Sequence, residues 1–419
     1  MREMKDSGIE WVGAIPNHWR VSKIKQIVRW KSVKGQPDLP VLSLYRDYGV
    51  IPKDSRDDNH NVTSLDTSGY KVVEHGDLVI NKMKAWQGSL AVSEYNGIVS
   101  PAYHICKITS ENICKKYLHY LLRDASYLPE YMRLSTGLRV GQWDLSFDDF
   151  KNIPFLVPPL AEQERIAAFL DAECAEIDAV LEKTRASIEE YKKLKQAVIT
   201  QAVTKGIRSD RPMKDSGIEW IGEIPAEWDV LNLVAHTSML TPMRDRPENL
   251  DGPIPWVRIE DFEGKYIESS KAGLGVSMKT VKEMNLKVYP VGTILCTSSC
   301  IMGKCAIVSR ELVSNQRFIG IIPDQTTDKT YLYYLMTSNA ERMNFLSTGA
   351  LQVNLSRSAF EHLKVQFPPY SEQQEIAAYL DDKCEKIDEL ILKKQQYLTE
   401  IENYKKSLIY EYVTGKREV

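Results

Sequence analysis

Apolar and polar positions alternate in two different rhythms along this chain. From about Glu162 to Thr204 the candidate buried positions are Leu170, Cys174, Ile177, Leu181, Thr184, Ile188, Tyr191, Lys195, Val198 and Ala202. Their spacing alternates four and three, a period of 3.5, which predicts one long amphipathic helix with a coiled-coil seam. The same spacing returns at Leu380, Cys384, Ile387, Ile391, Lys394, Leu398, Ile401, Lys405, Leu408 and Tyr412. At 1.5 Å per residue each helix is about 60 Å long. Pro158-Pro159 and Pro368-Pro369 punctuate the two starts, with Ser371 as an N-cap and Gln374 three residues on. Gly206 and Gly415 stand where the helices should stop. Each seam needs a partner, and the simplest is the other copy, giving an antiparallel coiled coil. The pair is read as a rigid spacer between two binding domains, or more plainly as a stalk that supports folding. Lys195, Lys394 and Lys405 weaken the seam locally and are expected to face solvent or another subunit.

The second rhythm is short. VLSLY (41–45), DLVINKM (77–83) and SLAVSE (89–94) read as strands bounded by Gly or Pro, as do WVRIEDF (256–262), TILCTSSC (293–300), CAIVSR (305–310) and FIGIIP (318–323). KKYLHYLL (115–122) and KTYLYYLM (329–336) have helical spacing and predict one helix in each globular part.

These matched elements belong to an internal repeat. Residues 4–21 and 213–230 are identical at 13 of 18 positions, sharing M-K-D-S-G-I-E-W and I-P-x-x-W. EQERIAAFLD (162–171) matches EQQEIAAYLD (372–381), and Leu134-Ser135-Thr136-Gly137 matches Leu346-Ser347-Thr348-Gly349. Cys174, Ile177 and Asp178 align with Cys384, Ile387 and Asp388. The middles, such as 41–61 and 255–271, have no counterparts. The expected fold is α+β: two mixed globular domains alternating with two long helices in a pseudo-two-fold repeat. The expected boundaries are 1–160, 161–208, 209–370 and 371–419. Trp11, Trp19, Trp220 and Trp228 in the shared frame are expected to anchor each domain on a helix base, with partner docking as the alternative.

Composition narrows the class. The chain has 419 residues, enough for two to four domains, with 43% apolar and 26% charged residues, ordinary for a folded protein. No apolar run suits a membrane span, and Met1 to Trp11 lacks the apolar stretch of a signal peptide. Seven cysteines without a CxxC pair argue against a disulfide framework, so the cytoplasm is the expected compartment. The net charge of -3 conceals an uneven distribution. Residues 20–160 carry +4 and 230–370 carry +2, whereas 161–205 and 371–416 carry -2 and -3. The mildly basic globular parts are the better candidates for a polyanion.

Motifs for chemistry are missing. There is no GxxxxGK[ST] phosphate loop and no HExxH. Cys296, Cys300 and Cys305 have no histidine among them, and no metal site is expected. Phe367-Pro368-Pro369-Tyr370 superficially matches the Pro-Pro-aromatic motif of amino-group DNA methyltransferases. That motif needs Asp, Asn or Ser where Phe367 stands, so the prolines are read as helix punctuation.

The doubled frame, Pro-Pro-x-x-E-Q-x-x-I-A-x-x-L-D at both helix starts and V-T-K-G (203–206) at the first helix end resemble the specificity subunit of type I restriction-modification enzymes. The resemblance covers essentially the whole chain. It implies two target recognition domains, each reading one half of a gapped, asymmetric sequence in double-stranded DNA. It implies that the helices set the gap and dock two methyltransferase subunits, and that two restriction-translocase subunits complete the complex. No cofactor is implied for this chain; S-adenosylmethionine belongs to the methyltransferase partner, and ATP and Mg to the nuclease partner. The chain is not expected to be an enzyme by itself. The competing readings are an enzyme with unrecognised motifs and a protein-binding scaffold.

Base-reading candidates are polar or basic residues in loops beside the predicted strands, because Arg and Lys suit guanine and Asn and Gln suit adenine. In the first domain they are Asn81, Lys82, Lys84, Trp86 and Gln87, with Arg139 and Gln142. In the second they are Ser298, Ser299, Lys304, Asn315, Gln316 and Arg317, with Gln352 and Asn354.

Overall fold

The computed structural model describes residues 2–46, 48–56, 63–64, 66–137, 143–242, 245–299, 302–346 and 355–419. The chain divides into two compact units, Met1–Arg185 with Gln396–Val419, and Ala186–Gln395.

The first unit opens with the hairpin of β1 (Met4–Asp6) and β2 (Ala14–Pro16). Its Asp-Ser-Gly turn is built by side chains. Asp6 accepts from the Gly8 N–H at 3.0 Å and Ser7 from the Ile9 N–H at 3.1 Å. Then follow β3 (Arg20–Lys23), β4 (Val28–Lys31), β5 (Asp77–Asn81), β6 (Leu90–Val92), β7 (Tyr103–Ile108), α1 (Lys115–Arg123), α2 (Leu128–Leu134), β8 (Pro154–Val157) and α3 (Leu160–Lys205). The main sheet is antiparallel in the order β4-β7-β5-β6, and β3 pairs with β8 beside it. Trp19, Tyr117, Tyr127, Tyr131, Phe150 and Phe155 are fully buried in its core. Leu170, Ile177 and Leu181 of α3 join that core with Leu408, Tyr412 and Val413 of the C-terminal segment.

The second unit repeats this plan. Its strands are β9 (Met213–Asp215), β10 (Glu223–Pro225), β11 (Asp229–Asn232), β12 (Thr237–Leu240), β13 (Tyr266–Ile267), β14 (Ile294–Thr297), β15 (Cys305–Val308), β16 (Phe318–Pro323) and β17 (Lys364–Phe367). Its helices include α4 (Lys329–Ser338), α5 (Ala340–Leu346) and, as far as Gln395, the long α6 (Tyr370–Val413). The main sheet runs β12-β16-β14-β15-β13, with β13 parallel to β15. Ile254–Val257 lies in a separate small sheet between Gly275–Val276 and Val313–Ser314. The strand expected over 256–262 therefore stops early. The Asp261 carboxylate accepts the Arg258 N–H at 2.6 Å and turns the chain into a short 3-10 helix, Ile259–Asp261.

Within each unit the two long helices run antiparallel. In the first, Asp178 of α3 faces Lys405 of α6, and the Phe169 and Tyr412 rings pack at a 41° tilt with centroids 4.5 Å apart. In the second, Lys195 of α3 faces Asp388 of α6. The seam lysines are thus engaged rather than free. Lys195 and Lys405 bind aspartates of the opposite helix, and the Lys394 ammonium lies 5.7 Å from the Tyr191 ring centroid.

Ser371 is not the N-cap, because α6 begins at Tyr370. The Pro369 carbonyl accepts the N–H groups of Glu372 and Gln373, and the Pro159 carbonyl those of Glu162 and Gln163. The repeated Glu-Gln has a structural reason. Gln163 is fully buried; its amide donates to the carbonyls of Pro158 and Asn112, and its oxygen accepts from the Cys114 N–H just before α1. Gln373 makes the same three bonds with Pro368, Thr326 and the Asp328 N–H.

The frame tryptophans divide. Trp19 and Trp228 are fully buried, and each rests on the glycine that ends a long helix. A Cβ on Gly415 would lie 2.9 Å from Trp19, and one on Gly206 would lie 3.3 Å from Trp228. Trp11 is half-buried, edge-on to Tyr127. Trp220 departs from the buried-anchor expectation. It is 43% exposed, with the Arg342 guanidinium 3.7 Å from its ring centroid.

Candidate nucleic-acid interface

In the first unit the β5–β6 hairpin carries a tight turn. Asn81 begins it: its side-chain oxygen accepts the Met83 N–H at 3.2 Å, and its backbone carbonyl accepts the Lys84 N–H at 3.0 Å. A short 3-10 helix, Ala85–Gln87, ends at Gly88, which has φ of 82°. Any Cβ there would come within 2.7 Å of Leu128 at the start of α2. The turn is therefore clamped on a helix, with Ala85 fully buried beneath it. Lys84 and Gln87 are exposed on its outer side. Lys82 forms an ion pair with Asp144 at 3.0 Å, and its backbone ties two neighbouring segments together. The Lys82 N–H donates to Ala102 at 3.2 Å, and the Lys82 carbonyl accepts from Leu145 at 2.9 Å.

The second unit repeats this backbone scaffold with other side chains. The Ser298 N–H donates to Arg317 at 2.8 Å, and the Ser298 carbonyl accepts from Leu355 at 2.9 Å. Gly303, with φ of 76°, meets Ala340 at the start of α5, where a Cβ would lie 2.2 Å away. Ser299 is buried, whereas Lys304, Gln316 and Arg317 are exposed. Asn315 organises its own turn, its side-chain oxygen accepting the Arg317 N–H at 3.1 Å.

Asn81, Lys82, Lys84, Trp86 and Gln87 thus share one turn, and Ser298, Ser299, Lys304, Asn315, Gln316 and Arg317 meet at the corresponding place. Arg139, Gln142, Gln352 and Asn354 lie outside the described residues, as does Cys300.

Sequence reasoning missed three features. Ser100-Pro101-Ala102 stands before β7 as Asn315-Gln316-Arg317 stands before β16, but it carries no basic or amide side chain to draw attention. Lys71 is buried, and its ammonium donates to the carbonyls of Pro101 at 3.0 Å and Tyr103 at 2.5 Å. Among the described residues no carboxylate pairs with it. Burial lowers its pKa, and the charges of Lys34 and Lys82 lower it further. The third is Trp143, whose ring sits edge-on to Trp86 with centroids 5.3 Å apart.

The two units also correspond in comparisons with known proteins. Residues 16–190 and 229–403 each match the family model described as type I restriction modification DNA specificity domain. The type I restriction enzyme MjaIX specificity subunit of Methanocaldococcus jannaschii is 36% identical over 176 residues, covering 39% of this chain and 40% of that protein. The putative type I restriction enzyme MjaX specificity subunit of the same organism is 24% identical over 430 residues, covering 97% and 96%. Among solved structures, a chain from work on complex assembly and conformational transition of the type I R-M system superposes with a TM-score of 0.73 at 14% identity, covering 96% of this chain and 99% of that one. The HsdS subunit from Thermoanaerobacter tengcongensis gives 0.50 at 14% identity, covering 96% and 98%. These structural likenesses concern the fold. With both halves matched by the family model, the chain belongs to the type I restriction-modification DNA specificity family.

Proposed function

We propose that this chain is the sequence-reading subunit of a type I restriction-modification complex. Residues 1–160 and 209–370 act as target recognition domains, each addressing one half of a gapped, asymmetric site in double-stranded DNA. The helical segments 161–208 and 371–419 fix the spacing and dock two methyltransferase subunits, and two restriction-translocase subunits join them. The chain supplies the address and no catalysis. S-adenosylmethionine serves the methyltransferase partner, and ATP and Mg the nuclease partner. All of this takes place in the cytoplasm.

One observation carries the reading: two turns with the same backbone ties present different side chains, inside a chain whose two halves match one DNA specificity domain. An identical scaffold holds the turn at a groove, while unlike residues read unlike bases. Lys84, Lys304 and Arg317 suit phosphates or guanine, Gln87 and Gln316 suit adenine, and Ser298 suits either a base edge or a phosphate. Arg139, Gln142, Gln352 and Asn354 are assigned to the same surfaces on sequence grounds. Asn81 and Asn315 help shape the turns that present these groups, and Ser299 is assigned to the same surface on sequence grounds.

The test is co-expression with a cognate methyltransferase subunit in a methylation-free host, followed by mapping of N6-methyladenine. A single gapped, asymmetric motif is expected. A stable complex that leaves the genome unmethylated, or methylates it without sequence preference, overturns the reading.

A further inference from the structure

The turn of the first unit presents apolar surface that phosphate and hydrogen-bonding contacts leave unused. Met83 is 48% exposed there, and the half-buried rings of Trp86 and Trp143 meet at 64°. The polar handle of Trp86 is already engaged, because its Nε1–H donates to the Met83 carbonyl at 3.2 Å. With the turn clamped on α2, this patch is preformed, so little side-chain entropy is lost when something covers it. The corresponding turn of the second unit has no aromatic residue, and Met302 in it is buried.

The surroundings indicate what covers the patch. Lys84 and Gln87 flank it, the Asp144 carboxylate beside Trp143 is neutralised by Lys82 at 3.0 Å, and Lys71 lies buried near Lys82 without a carboxylate partner among the described residues, leaving a net positive surround. An apolar patch in a cationic setting suits an anionic polymer that also offers a small apolar group. In the major groove of DNA the thymine C5-methyl is the apolar group on a base edge.

We propose that Trp143, braced by Trp86 and adjoining Met83, reads a thymine methyl group in the half-site addressed by the first unit. This rests on the DNA-reading function proposed above. The corresponding turn of the second unit offers no aromatic side chain for such a contact, so the two turns address their half-sites by different physics.

The experiment uses the complex with the methyltransferase subunit and the motif obtained by methylation mapping. Each thymine of the motif is replaced in turn by deoxyuracil, which keeps the base pair and removes only the methyl group. For the wild type, one thymine or two neighbouring thymines should each lose about fourfold in affinity, the scale of burying one methyl group. With Trp143→Ala the same replacement should have no effect, and with Trp143→Phe part of the sensitivity should remain. Thermal melting of both variants verifies their fold. Wild-type affinity unchanged by every deoxyuracil replacement overturns the proposal. A loss of DNA bending in Trp143→Ala without deoxyuracil sensitivity in the wild type would identify a wedge between base steps and overturn it too. If no motif emerges at all, the failure lies with the DNA-reading function itself.

Discussion

Lys195 donates to both carboxylate oxygens of Asp388, at 2.7 and 2.6 Å, across the helix pair of the second unit. Lys405 does the same to Asp178 in the first unit, at 2.6 and 2.7 Å. The two pairs are counterparts of each other, since both lysines and both aspartates are separated by the repeat offset. Charges so placed favour the antiparallel register. They are partly exposed, so each pair contributes only about 0.5–1 kcal/mol. Lys195→Ala should lower urea-unfolding stability by that amount, and Lys195→Asp combined with Asp388→Lys should recover most of what either reversal loses alone.

Glu372 is a stronger case because it is buried, with 2% of its surface exposed. Burial raises its pKa. Hydrogen bonds from Arg211 and Trp228 and the charges of Arg211 and Arg208 outweigh that and hold it below the ordinary value of 4.5. Glu372→Ala leaves the Arg211 side chain, 9% exposed, without its main partner and should cost about 3 kcal/mol. A depressed carboxylate pKa adds stability at neutral pH that is lost as pH falls through the folded value. Glu372→Gln should therefore be less stable than wild type at pH 7 and lose less on acidification below 4.5, measured by urea unfolding.

Gly206 and Gly415 separate backbone strain from crowding. Both have positive φ, 75° and 71°, so alanine costs about 1 kcal/mol at either position. At Gly415 the new Cβ would also lie 2.5 Å from the Pro16 ring. At Gly206 its nearest neighbour, the Arg211 guanidinium, is 3.1 Å away and sits on a long side chain that can shift. Gly415→Ala should thus be the more destabilising, by about 1–2 kcal/mol, on chemical denaturation.

His119 gives the first unit a distinct pH response. Burial, reinforced by the charge of Arg123, pushes its pKa down to about 3, and its Nδ1 accepts the Val92 N–H at 3.3 Å. The unfolded chain binds a proton near 6.5, whereas the folded one resists until about 3. Stability should therefore fall as pH drops from 6.5 towards 3, by about 3 kcal/mol at pH 4. His119→Gln should flatten this part of the curve relative to wild type, read from melting temperatures across pH 4–7.

The sequence was informative wherever a signal was local or duplicated. The doubled Asp-Ser-Gly, Pro-Pro and Glu-Gln mark turns and helix starts whose bonds span a few residues, and the 3.5 period exposes the long helices directly. The turns holding Lys84 and Ser298 were found because strands bracket them. Trp143 was missed because its significance depends on meeting Trp86 across 56 intervening positions. Lys71 resembled any surface lysine, and only the carbonyls of Pro101 and Tyr103 reveal that it is buried. The seam lysines were misjudged for a similar reason: their aspartate partners lie on the other helix, about 190 or 230 residues away in sequence.

The joints made by Trp19 on Gly415 and Trp228 on Gly206 bear on how such a chain can change over generations. The first frame segment must fit the helix end at the far end of the chain and the second the helix end just before it, so neither copy can drift without disturbing a fit. The variable middles carry no such obligation. A crossover within the matching frame sequences would bring in a foreign middle while leaving both joints intact. The descendant would inherit a sound body with one half of its reading surface replaced in a single event.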